Sequence, residues 1–113
     1  MFIKETVVDQ EVSNYLERLS REVEGAKEII AFMLENDKGI NTESFKQYKA
    51  EYNEAKAAFD IAKEDAQKRF VPAALIDQDA ANTSWTLDYA TNTVKVTYNG
   101  KKFTEEQFDA LFE

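Results

Sequence analysis

The chain has 113 residues, with 22 acidic and 14 basic side chains and a formal net charge of −8. It contains neither Cys nor His, which excludes disulfides, thiolate nucleophiles, zinc–thiolate sites and the commonest general base. The acidic excess opposes the phosphate neutralisation that drives non-specific nucleic-acid binding, so direct contact with nucleic acid is not expected.

A charged fraction of 32% is high, but 12% aromatic residues supply enough apolar surface for a folded chain. At this length one folding unit is expected. It is read as two parts, residues 1–72 with a helical hairpin and residues 73–113 packing on it. No apolar run approaches membrane-spanning length, and residues 1–5 contain no basic lead into a long apolar segment. The expected compartment is the cytoplasm of the producing or host cell.

Residues 1–8 are apolar-rich, with Phe2, Ile3, Val7 and Val8. Their alternation is too brief to separate a strand from a lead-in turn; pairing with a C-terminal β hairpin is one use for them. Asp9 suits a helix N-cap, and Glu11 sits where the helix dipole favours an acid. From there Val12, Leu16, Leu19, Val23, Ala26, Ile30 and Met33 recur at spacings of four and three. That is one apolar seam along a helix. Glu17 and Arg21 have the favoured orientation for an i, i+4 ion pair.

A second seam runs through Phe45, Tyr48, Tyr52, Ala55, Phe59, Ala62 and Ala66. Between the two lies Asn36-Asp37-Lys38-Gly39-Ile40-Asn41, with Gly39 suited to a helix C′ position and Asn41 to the next N-cap. Ile40 and Phe45 have hydrophobic-staple spacing. A turn near Gly39 sets Leu19 opposite Phe59, and mostly large against small toward the open end, as with Val23 opposite Ala55 and Leu16 opposite Ala62, which interdigitation needs. The flanking charges carry no pairing code, which favours an intramolecular hairpin over a two-chain coiled coil. Pro72 closes the second helix.

Residues 73–84 read as a linker with a short apolar patch. Its Asp77-Gln78-Asp79 lacks the Gly and distal Glu of a calcium loop, so no metal is assigned. From Trp85 the period becomes two: Trp85, Leu87 and Tyr89, then Val94, Val96 and Tyr98, around Ala90-Thr91-Asn92-Thr93. Asn99-Gly100 fits a type I′ turn, with Lys101-Lys102-Phe103 as a short third strand. Thr104 and Gln107 have capping-box spacing before an amphipathic helix carrying Phe108, Leu111 and Phe112. The fold class is therefore α+β, a long antiparallel helical hairpin followed by a small β meander and a short C-terminal helix.

No catalytic site emerges. Glu24, Glu28, Glu35, Asp60 and Glu64 fall on solvated faces rather than converging as two-carboxylate chemistry requires. No Ser has a nucleophile-elbow context or a His partner, and no glycine-rich phosphate loop is present, so the chain is read as no enzyme and no cofactor is assigned. Lys49, Lys56 and Lys63 form a heptad-spaced row, the usual arrangement of Lys stems snorkelling over a seam. Trp85, Tyr89, Tyr98 and Phe103 lack the basic groove of a stacking platform and read as core.

One block stands out. Residues 29–34 are apolar all round the helix, yet the seam uses only Ile30 and Met33. Ile29, Phe32 and Leu34 need other cover. The C-terminal aromatics Phe108 and Phe112 are the expected cover, and these five residues are the candidate protein-interaction set. The function expected is non-catalytic protein interaction or assembly, with the chain itself or a larger particle as partner. A helical hairpin with a tiny β appendage resembles many small accessory proteins of phages and mobile elements. The alternative is a small acidic inhibitor, of viral anti-defence or immunity type, that binds a basic surface.

Overall fold

The computed structural model describes residues 1–35 and 43–113. In order they form β1 (Phe2–Val7), α1 (Gln10–Glu35), α2 (Glu43–Phe70), α3 (Ala73–Asp79), a 3-10 turn (Ala80–Asn82), β2 (Thr83–Asp88), β3 (Thr93–Tyr98) and α4 (Glu105–Ala110). The fold is α+β: two long helices packed together, a three-stranded antiparallel sheet and a short C-terminal helix. The turn signals at Gly39, Ile40 and Asn41 lie outside the described residues. Among the described residues, no helix is long and apolar enough to cross a membrane.

The chain divides into two compact units, Met1–Asn14 with Glu64–Glu113, and Tyr15–Lys63. The division runs through both long helices. In the helical unit, burial follows the two seams: Leu16 and Leu19 are buried, and Val23, Ala26, Ile30, Met33, Phe45, Tyr48, Tyr52, Ala55, Phe59 and Ala62 are partly covered. Glu17 and Arg21 form the expected ion pair. Lys56 pairs with Asp60 at 3.3 Å and Lys63 lies over the Phe59 ring, so two of the three row lysines are engaged on their own helix.

The other unit is built on the sheet, whose strand order is β1-β3-β2. Phe2 pairs with Tyr98 and Val7 with Thr93; on the other side of β3, Thr83 pairs with Tyr98 and Asp88 with Thr93. Directly paired residues share a face. One face therefore carries Tyr98, Val96, Val94, Trp85, Leu87 and Phe2, and the core lies on it. Val8, Val71, Leu75, Val94, Val96, Tyr98 and Phe108 form the buried centre. The hairpin turn takes Asn92 to φ 53°, a left-handed conformation that Asn tolerates better than most side chains, and Asp88 accepts the Ala90 N–H at 2.9 Å.

Three sequence expectations are corrected here. Residues 73–82 are helical, not a linker, because Leu75 inserts fully into the core and Pro72 pre-sets the backbone at φ −55° just before the first turn. The third strand is β1, not Lys101-Lys102-Phe103, which forms a bend. Asn99 and Gly100 do not make a type I′ turn, since no described glycine has positive φ and that turn requires it. The N-terminal segment takes the edge of β3 instead, using six residues where the Lys101 segment offers three.

Candidate protein-interaction surface

The exposure of the apolar block follows from helix geometry. At about 100° per residue, Ile29 and Leu34 flank the Ile30–Met33 seam on opposite sides, each about 70° from its centre. Phe32 lies about 130° away, almost on the outer face. The observed exposures follow that order: 42% for Ile29, 55% for Leu34 and 65% for Phe32. One seam cannot cover three directions. The three residues therefore do not form a single patch; Ile29 belongs to one flank of the helical unit, Leu34 to the other.

On the Ile29 flank, residues 22–29 of α1 face residues 51–58 of α2. They enclose a groove of about 470 Å³. Ala26, Ile29, Ala55 and Ala58 supply its apolar lining, and Glu22, Glu51 and Glu54 its acids. Small side chains on facing helices leave the space.

Phe108 and Phe112 are placed elsewhere. Phe108 is fully buried in the sheet unit, with its ring centroid 5.7 Å from Phe2, 6.3 Å from Tyr98 and 5.1 Å from Phe112. The Thr104–Gln107 capping box forms as read, with the Thr104 N–H donating to Gln107 Oε1 at 2.9 Å and the Gln107 N–H to Thr104 Oγ1 at 3.2 Å. Within the sheet unit, Phe108 and Phe112 pack on an aromatic cluster that sequence spacing does not reveal. Ile29, Phe32 and Leu34 of the helical unit are exposed.

No family model matches the chain, and no curated protein and no solved structure matches it.

The polar chemistry of the sheet unit gathers at the end of α3. Asp79 Oδ2 accepts the Tyr98 hydroxyl at 2.6 Å, and Oδ1 accepts Asn82 Nδ2 at 2.8 Å. Those two bonds, Tyr98 first, lower the Asp79 pKa below its ordinary 3.8. Burial, and then the bond to Asp79, raise Tyr98 above its ordinary 10.0. The Tyr98 oxygen also accepts the Lys102 N–H at 2.9 Å, and Lys102 Nζ donates to the Gln78 carbonyl at 2.6 Å. Both carboxylate oxygens of Asp79 are thus engaged in holding the fold. Among the described residues, no three acids come together as a group able to hold a metal ion.

Trp85 and Phe103 pack against the core, Tyr98 lies within it, and Trp85 Nε1 donates to Gln67 Oε1 at 3.1 Å. These aromatics support structure, as their spacing suggested. The acid-lined groove escaped the sequence reading. Its signal was the coincidence of small residues at Ala26, Ala55 and Ala58 with glutamates one turn away, which a seam count treats only as packing.

Proposed function

We infer that this chain is a non-catalytic protein-interaction or assembly protein, working in the cytoplasm of its producing or host cell, and that the Ile29 flank of its helical unit is a partner surface. The observation that carries the reading is the groove itself: an apolar floor ending at Ile29, with three glutamates beside it. A continuous apolar surface rimmed by charge is the usual character of a docking face.

The glutamates favour one class of occupant. A second copy of a chain with net charge −8 brings more acid to the groove, whereas a helix with apolar residues flanked by Lys or Arg fits both floor and rim. This supports the acidic-inhibitor reading, in which the chain covers a basic surface on its target. The test is capture from host lysate with wild type, Ile29→Glu and the double charge reversal Glu51→Lys, Glu54→Lys, each at low and high salt. A specific partner lost in both variants and weakened by salt supports the reading. A partner set unchanged by either variant sinks it.

A further inference from the structure

We propose that the open edge of β1 is a second interface, and that it pairs antiparallel with β1 of a second copy of this chain about a two-fold axis at Glu5. This surface is separate from the groove above and does not rest on it.

The Val8 N–H donates to the Asn92 carbonyl at 2.8 Å, continuing the β1–β3 register in which Phe2, Lys4 and Thr6 face Tyr98, Val96 and Val94. In an antiparallel ladder, N–H and C=O groups of alternate residues point to opposite sides. Residues 2, 4, 6 and 8 therefore bond β3, while the backbone groups of Ile3, Glu5 and Val7 point away from the sheet. β1 is an edge strand, and among the described residues no strand takes up that outer row. A groove of about 630 Å³ runs along residues 4–7, with residues 68–73, Leu111 and Phe112 forming its other wall.

The side chains then select a partner. Ile3 and Val7 stand on the outer face of the sheet at 45% and 76% exposure, unusual for apolar residues on a strand otherwise carrying Lys4, Glu5 and Thr6. A two-fold axis at Glu5 sets Ile3 opposite the second copy's Val7, and Val7 opposite its Ile3. All three outward-pointing residues then sit in hydrogen-bonded pairs, and both exposed apolar side chains gain a cross-strand neighbour. Glu5 meets the second copy's Glu5 on the axis, but each also lies opposite Lys95 of its own β3. The row across the joined sheet reads Lys, Glu, Glu, Lys.

Lys4 is the obvious objection, since a charge on the core-side face of an edge strand discourages pairing. Its effect here is to choose the register. With the axis at Glu5, Lys4 faces Thr6; shifting the axis to Lys4 sets Lys4 against Lys4 and Ile3 against Glu5, both unfavourable. Of these two registers, the side chains favour the one with its axis at Glu5.

Two measurements test the proposal on the full chain. Glu5→Pro removes an outward N–H without touching the β1–β3 ladder, a placement edge strands accept; in a sedimentation concentration series wild type should approach twice the mass of one chain, and the variant should remain at one. Because the chain lacks Cys, register can be read by oxidation of single-cysteine variants, which also serves if Glu5→Pro misfolds. Ile3→Cys mixed with Val7→Cys should give a disulfide-linked dimer, and each alone markedly less, since paired Cα atoms about 5.5 Å apart lie within disulfide reach. A wild-type chain that stays monomeric overturns the proposal, as does cross-linking that is equal in mixed and unmixed samples. Neither result bears on the groove, whose partner is read by salt and by Ile29→Glu.

Discussion

Tyr98 on β3 reaches back nineteen positions to Asp79 with a 2.6 Å hydrogen bond, joining the central strand to the end of α3. The same oxygen accepts the Lys102 N–H. One phenol thus fastens both the segment before the β hairpin and the bend after it.

This clasp has a pH window set by two groups. Asp79 is lowered, so its contribution is present above an ordinary carboxyl value of 3.8 and is lost as pH falls through its folded value. Tyr98 is raised, so its contribution is present below 10.0 and is lost as pH rises through its folded value. The difference in melting temperature between wild type and Tyr98→Phe should be flat and favour wild type between these limits. It should shrink on the acid side, and shrink or reverse on the alkaline side where a buried phenolate would face Asp79. A difference independent of pH would show that the hydroxyl contributes only packing.

Gly100 is required by close approach rather than by backbone conformation. A Cβ there would overlap the Asp79 carboxylate and the Tyr98 hydroxyl and stand 2.6 Å from Tyr98 Cζ, and the buried ring cannot retreat. Gly100→Ala should cost roughly 1–3 kcal/mol by overpacking, measured by urea unfolding. Gly25→Ala, with open space around it, should instead gain up to about 1 kcal/mol from helix propensity. Equal effects at the two glycines would contradict the geometry.

Ser13 is fully buried in the first turns of α1, and its hydroxyl has no hydrogen-bond partner. An unsatisfied buried hydroxyl is a cost, and Ala is the better helix former. Ser13→Ala should therefore stabilise the protein by roughly 1 kcal/mol. A loss of stability in denaturant melts would mean that the hydroxyl finds a partner in solution.

Leu19 and Phe32 separate seam from surface on one helix. Leu19 is buried, and its replacement by Ala should cost roughly 2–5 kcal/mol. Phe32 is the larger residue but is exposed, and Phe32→Ala should change stability by no more than about 0.5 kcal/mol. If Phe32→Ala costs as much as Leu19→Ala, the apolar block is covered in solution.

What the sequence by itself determined is whatever a few neighbouring residues decide together. The three-and-four spacing from Val12 to Met33 marks the covered side of α1, the period of two at Trp85 and Val94 marks the hairpin strands, and Thr104 with Gln107 marks the start of α4. Each is a local rule, since a helix repeats every 3.6 residues and a strand every two. The tertiary structure alone decided matters that depend on residues far apart. Phe2 won the edge of β3 because six residues pair there and its ring stacks on Tyr98 at 6.3 Å. Phe108 went to that aromatic cluster, whose members Phe2 and Tyr98 lie far from it in the chain. Gly100 answers to Asp79, twenty-one positions earlier, and no periodicity within a short window contains that clash.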